Sequence, residues 1–280
     1  MKRWNLVIDV ALCENCNNCV LAARDELVGN AHQGYSAPHA PQGAAVIRIE
    51  RRTRGATPMV DAAYLPRMCN HCDDAPCIRA AGDGSITKRE DGIVVVDPVK
   101  AKGRKDLVAA CPYGAMVWNE QEQLPQTWFF DAHLLDAGAP APRCVSVCPT
   151  EAIQAIKVED AEMRRRVAAE ELRVLEPALG TSPRVWYRNL WRFDHCFIGG
   201  SVSAVMNGVE DCIEGAVVEL HQDGQLLDTR KTDAFGDFRF DRLASGSRGY
   251  TVVISHDQRS RIVAVPSLEE SIYLGKLELA

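Results

Sequence analysis

The apolar positions of this chain follow two regimes. Through the first half, short apolar stretches alternate with cysteine-bearing loops. In the last third, apolar residues recur at every second position in short runs. The opening RWNLVIDV reads as a strand that enters a cysteine loop, and residues 20–28 read as the start of a helix. Residues 31–65 lose that order: GYSAPHAPQG is rich in Pro, Gly and His, IRIERRTRG is basic, and only 45–50 reads as a strand. Such a length of chain predicts a long surface insertion, either a docking surface or a solvated loop. Runs at 84–88 and 93–96 flank Asp91-Gly92, which predicts a hairpin. Asp97-Pro98 then opens a helix leading to Cys111. CPTEAIQAIKV repeats the pattern of CPYGAMVW, an internal repeat expected of two nested ferredoxin halves. EDAEMRRRVAAEELRVLE, 158–175, reads as a surface helix with Glu/Arg pairs. After TSPRVWYRNLWRFDHC, alternating runs at 216–220, 225–229, 237–240, 250–254, 261–265 and 272–277 are separated by turns such as Asp223-Gly224. Regular spacing of this kind predicts a small β-sandwich.

Composition narrows the class without naming it. The 280 residues leave room for two domains. Hydrophobic content of 46% and charged content of 25% are ordinary for a soluble globular protein. A net charge of −6 leaves no electrostatic footprint for nucleic acid. No apolar run is long enough to span a bilayer. The start lacks the apolar core of a signal peptide, and Arg51-Arg52 precedes no apolar stretch, so a cytoplasmic location is expected.

The chemistry lies in the cysteines. There are eleven, and eight fall into two sets. Cys13, Cys16 and Cys19 stand in CENCNNC, with a remote Cys148-Pro149. Cys69, Cys72 and Cys77 stand in CNHCDDAPC, with Cys111-Pro112 downstream. A cubane cluster needs four thiolates converging on one small volume, three from a tight loop and the fourth from a distant Cys-Pro. Two [4Fe–4S] clusters are therefore expected, on Cys13, Cys16, Cys19 and Cys148 and on Cys69, Cys72, Cys77 and Cys111. Disulfides are disfavoured because the first loop is too tight for productive pairing. Structural zinc usually uses separated CxxC pairs. Cys144, Cys196 and Cys212 lack partners by spacing and read as structural thiols. His71, inside the second loop, either tunes a cluster by hydrogen bonding to sulfur or faces solvent. Ile78, Pro112 and Pro149 are expected to shield cluster sulfur. Trp186, Tyr187 and Trp191 read as an interdomain aromatic stripe. The expected organisation is α+β: a double ferredoxin-like [4Fe–4S] domain over 1–157 with an insertion at 31–65, a helix and linker over 158–196, and a small antiparallel β-sandwich over 197–280.

The first 157 residues resemble the iron–sulfur subunits of the dimethyl sulfoxide reductase superfamily, which carry four such motifs. This chain keeps the frame and lacks half the ligands. Ala23 and Ala81 stand where the first two motifs would carry a fourth cysteine. Ala101, Arg104 and Leu107 replace the cysteines before Cys111, and Trp128-Phe129-Phe130-Asp131 replaces a CxxC before Cys144. Of the last-motif cluster only Cys144 remains, so two clusters are expected, with Trp128 and Phe129 filling the vacated volume. The C-terminal pattern GAVVEL…DTRKTDAFGDFRFDRL…GYTVVI resembles transthyretin-like or carboxypeptidase-regulatory-like modules.

VIDVALC, CNNC, IRIERRTRG, REDGIVVVDP, CPYG, AHLLD, PRVWYRNLWRFD and EDCIEGAVV carry a closer resemblance. Over essentially its whole length the chain resembles small subunits of the pyrogallol–phloroglucinol transhydroxylase and resorcinol hydroxylase type. Ala23, Trp128 and Asp131 depart from that pattern. The resemblance implies a heterodimer, with a higher oligomer of heterodimers open. A large catalytic partner would hold molybdenum on two pterin guanine dinucleotides and bind a phenolic aromatic. This chain would hold no catalytic residue. The Cys13 set would lie nearest the partner and the Cys69 set further out. Transhydroxylation, water-derived hydroxylation and reductive dehydroxylation of catechols all fit, and the Ala- and Arg-rich composition tilts toward a resorcinol hydroxylase. The alternative is an electron-transfer subunit of another molybdenum oxidoreductase, such as a catechol dehydroxylase. The clusters would serve either as a wire to an external acceptor or as staples of a scaffold.

Overall fold

The computed structural model describes residues 1–206 and 208–279. They form two compact units, Met1–Arg51 with Tyr64–Leu190, and Arg52–Ala63 with Trp191–Ala280.

The first unit is organised on strand Arg3–Asp9, buried on both faces as its continuous apolar run requires. Ile153–Val158 pairs with it antiparallel and Val185–Arg188 parallel on the other edge. Helix Asn18–Leu27 follows the first cysteine loop and starts behind Asn17, which is left-handed at φ 62°. The hairpin around Asp91-Gly92 forms as the turn chemistry dictates, pairing Ile86–Lys88 with Val94–Val96. A second hairpin, Val117–Asn119 with Leu124–Gln126, lacks a glycine turn. Instead the Asn119 side chain accepts the N–H groups of Gln121 and Glu122 and bends the chain itself. Helix Asp160–Ala169 places Asp160 and Glu162 in its first turn, where the helix dipole favours them.

Two expectations need revision. The 31–65 segment holds more than one strand: Arg48–Ala56 and Met59–Arg67 pair as a hairpin, and its tip, 52–63, belongs to the second unit. Charged side chains masked the alternation there, since backbone pairing does not require apolar residues at an edge. Residues 158–196 are only in part a linker. Val185–Arg188 is a strand of the first sheet, and the Tyr187 hydroxyl donates to the Pro66 carbonyl at 2.9 Å. Trp186 and Tyr187 belong to the first unit and Trp191 to the second.

The second unit is a β-sandwich. One sheet is built on Cys196–Met206, flanked by Asp237–Leu243 and, in parallel, Ile272–Leu279, with Val209–Cys212 at one end. The other runs Gln225–Lys231, Val217–Gln222, Ser247–His256, Arg259–Leu268. Val202, Phe238 and Leu277 from the first sheet share a core with Val218, Val252 and Val265 from the second. The eleven-residue strand Cys196–Met206 has no clean alternation because of Gly199-Gly200. Both glycines are close approaches, with a Cβ at Gly199 overlapping Met59 and one at Gly200 crowding Phe238. At the hairpin tip Arg54 is buried, 2% exposed, and ion-pairs with Asp61. Asp61 also takes Arg192 at 2.7 Å and Arg239 at 3.1 Å. Burial alone would raise the Asp61 pKa; the three guanidinium groups outweigh it and hold it at about 2.

Candidate metal centres

The first unit brings the eight predicted cysteines together as two quartets. Cys13, Cys16, Cys19 and Cys148 lie close enough for their thiolates to repel one another, as do Cys69, Cys72, Cys77 and Cys111. The Cys-Pro members come from the opposite halves of the repeat, 129 residues after Cys19 in the first case and 34 after Cys77 in the second. None of these cysteines is in a disulfide.

Each loop wraps its sulfur by left-handed backbone. Asn15 and Asn17 have φ 58° and 62°, and His71 has φ 45°. Those conformations turn amide N–H groups inward. The His71 N–H donates to Cys69 Sγ at 3.5 Å, and the Ala115 N–H donates to Cys111 Sγ at 3.4 Å. The two surroundings differ. Cys16 is exposed and Glu14 lies near Cys13. Around the second quartet, Cys69, Cys77 and Cys111 pack against a core of Ile86, Val94, Leu107 and Met116. Burial pushes thiols up in both sets: Cys19 and Cys77 reach about 11, and Cys69 goes higher still. Converging thiols, several of which burial keeps from ionising alone, suit a polycation that takes them as thiolates, so the donor set fits an iron–sulfur cubane. Lys88 adds positive charge beside the second site. Its ammonium donates to the His71 and Cys72 carbonyls at 2.8 and 3.0 Å and pairs with Asp73 at 2.9 Å.

The vacated positions are packed solid. Ala81, Ala101 and Leu107 lie in one aliphatic core, and Arg104 turns outward to Asp83 and Asp106. At the other site Trp128, Phe129, Phe130 and Asp131 are at most 2% exposed. The rings of Trp128 and Phe130 lie 4.9 Å apart, and His71 packs on both at 5.6 and 5.4 Å. Asp131 accepts from Trp128 Nε1 at 3.1 Å and from the Arg143 N–H at 2.8 Å. Burial raises the Asp131 pKa, and those donors pull it part way back. Cys144 is buried beside Asp131, Cys19 and Cys148, and its thiol is pushed far up by burial.

His71 does not face solvent. It is 2% exposed, and its Nδ1 accepts the Val94 N–H at 3.0 Å. Its proton therefore sits on Nε2, and burial holds its pKa at about 3. Cys196 is buried, its thiol directed to the Glu269 carbonyl, whereas Cys212 is exposed rather than a buried structural thiol. A group not anticipated from sequence joins Glu26, His32 and His133, whose ligand atoms lie within 4.8 Å of one another. Glu26 is already bound by His133 at 2.8 Å and Arg143 at 2.7 Å, so its charge is balanced within the protein. Distant histidines with no spacing signature could be paired only by the fold.

A repeated frame with two thiol quartets defines an iron–sulfur protein of the ferredoxin kind, and the 4Fe-4S dicluster domain family matches residues 60–158. The pyrogallol hydroxytransferase small subunit of Pelobacter acidigallici is 42% identical over 282 residues, covering 100% of both chains. A tetrathionate reductase subunit of Salmonella typhimurium is 32% identical over 194 residues, 67% of this chain and 73% of the relative. The arsenate respiratory reductase iron-sulfur subunit of Shewanella is 26% identical over 66% of this chain and 95% of the relative. The chain belongs to the iron–sulfur subunit family that contains the pyrogallol hydroxytransferase small subunit. Among the described residues no helix is long and apolar enough to cross a membrane.

Proposed function

We propose that this chain is the iron–sulfur small subunit of a heterodimeric molybdopterin enzyme that hydroxylates or transhydroxylates phenolic aromatics. The observation that carries this reading is the 42% identity to the pyrogallol hydroxytransferase small subunit across the whole length, β-sandwich included. Chemistry on the phenol belongs to the large partner, which holds molybdenum on two pterin guanine dinucleotides. This chain binds two [4Fe–4S] clusters, one on Cys13, Cys16, Cys19 and Cys148, the other on Cys69, Cys72, Cys77 and Cys111. Such clusters store and pass single electrons.

The chain's own residues set how easily each site accepts negative charge. The amide donors on Cys69 and Cys111 and the Lys88 ammonium stabilise added negative charge at the second quartet. The first quartet has amide donors at Asn15 and Val20 as well, but Glu14 is its charged neighbour. Between them stands the aromatic block with Asp131 and Cys144, which leaves no four-thiol set for a relay. Direct exchange between the quartets is then slow, and the small subunit serves partly as scaffold.

Two measurements test this reading. Anaerobically purified complex should hold about eight iron atoms on this chain, two cubanes; twelve would refute the vacancy of the relay site. Anaerobic turnover of resorcinol only with an added one-electron acceptor identifies a net hydroxylase. Turnover only with a polyhydroxylated cosubstrate, indifferent to acceptor, identifies a transhydroxylase. No turnover of any phenol under either condition overturns the assignment.

A further inference from the structure

The first unit contains a cavity of about 420 Å³ that the cluster sites do not use. Its size falls in the range of small-molecule sites. Trp186, Met163, Pro177 and Pro183 give it apolar walls, and Thr181 lies at its inner end, 3% exposed. The segment that builds the rim is held in an unusual shape. Glu176, Gly180 and Ser182 are all left-handed, at φ 46°, 62° and 51°. For the two non-glycine residues that conformation is costly and persists where surrounding contacts enforce it. At Ser182 those contacts come from the second cysteine loop: the Asp73 N–H donates to the Ser182 carbonyl at 2.9 Å, and the Asp74 N–H to the Thr181 carbonyl at 3.1 Å.

Thr181 links the cavity to the second quartet. Its carbonyl accepts the Asp74 N–H, two residues past Cys72, and Tyr113 Oη, from the stretch that follows Cys111, lies 2.5 Å from Thr181 Oγ1. Thr181 therefore stands between the cavity and the segments that carry Cys72 and Cys111. The charges around the cavity are balanced. Asp73 and Asp160 are tied to Arg184, with Lys88 on Asp73 and Arg3 on Asp160. At the lip, Glu176 and Arg164 are both exposed and opposite in sign. Arg164 has no carboxylate partner among the described residues, so its guanidinium is available to donate to a ligand oxygen. Trp186 is held in place by Nε1 donating to Asn5 Oδ1 at 3.2 Å.

We infer that this cavity binds an uncharged planar redox carrier of the quinone class, which exchanges electrons with the cluster on Cys69, Cys72, Cys77 and Cys111. The ring lies along Trp186, its carbonyl edge meets donors at the lip, and its inner edge reaches Thr181. Neutral walls and a balanced lip suit a neutral ring. A [4Fe–4S] cluster held by Cys69, Cys72, Cys77 and Cys111 would supply the two electrons one at a time. The quinone gains both, and its two oxygens take two protons from water to give the hydroquinone. No bond to the protein forms. The inference rests on the hydroxylase form of the proposed function, in which phenol oxidation at the partner supplies electrons that reach the second quartet by slow exchange with the first.

The test uses the anaerobically purified two-subunit complex and menadione as probe. Calorimetric titration should show one site with a micromolar Kd. Val174→Trp, which fills the cavity, should abolish binding, and Arg164→Ala should weaken it several-fold. Rapid mixing of dithionite-reduced complex with menadione should bleach the electron-spin signal of the second cluster. Thr181→Val should slow that bleaching at least fivefold while changing Kd less than twofold. Absence of menadione binding overturns the inference, as does binding that survives Val174→Trp. Bleaching unchanged in Thr181→Val overturns the electron route. Preference for riboflavin 5′-phosphate over menadione overturns the quinone assignment. Binding is read without any phenol, so its failure is distinct from a failure of phenol turnover.

Discussion

The retained and vacated cluster sites of the first unit occupy one repeated frame and hold together by different means. At the retained sites four thiols converge and left-handed backbone turns amides toward sulfur. At the vacated sites the same positions are filled by apolar packing: Ala81, Ala101 and Leu107 at one, and the Trp128–Phe130 block at the other. On the proposed two-cluster reading, the fold tolerates loss of a cluster when side-chain volume replaces it. An unfilled site would cost several kcal/mol in lost contacts. It also explains Asp131. A buried carboxylate needs donors, and Trp128 and Arg143 supply them, which locks the block into one arrangement.

The largest expected effect comes from breaking a retained site. Cys72→Ala should remove about four of eight irons and the associated spin signal, because three thiolates hold a cubane poorly. Iron content and low-temperature spin resonance would read it, and full iron retention would show that Cys72 is not a ligand. Breaking a vacated site should cost stability without iron. Trp128→Ala should lower unfolding free energy by about 3–5 kcal/mol at unchanged iron content. A loss below about 1 kcal/mol would mean the ring does not fill the site.

A charged site in the second unit offers a third means of holding a buried position. Asp61→Ala leaves buried Arg54 with only the longer pairing to Asp241 at 3.4 Å, at a cost of about 3 kcal/mol. The Asp61 pKa is lowered to about 2 in the folded protein. Its stabilisation is therefore complete above the unfolded carboxylate value near pH ~4 and is lost as pH falls toward 2. Denaturant midpoints of the native protein and Asp61→Ala should converge over that window; a constant gap would refute the linkage. The smallest effect is expected at an exposed thiol. Cys212→Ala should leave both clusters intact and stability within about 0.5 kcal/mol.

The ligand loops were readable because a cubane demands thiols at fixed short spacing plus a Cys-Pro, and few other structures do. The hairpin at Asp91-Gly92 was readable because its turn residues act locally. The edges of most sandwich strands were close for the same reason, since period-two alternation is a local signal. Strand Cys196–Met206 was not, because Gly199-Gly200 interrupts the alternation for the sake of neighbours far away in sequence.

By itself the sequence determined the family, the two thiol sets and the α+β class. These depend on residue identity at short spacing, which folding does not alter. Only the tertiary structure decided that His71 is buried, that the hairpin tip 52–63 belongs to the second unit, and that Val185–Arg188 completes the first sheet. It alone decided that Thr181 stands between a cavity and the second cysteine loop. The reason is physical: burial, charge pairing and cavities arise from contacts between residues distant in the chain, and no local pattern records which distant residue arrives.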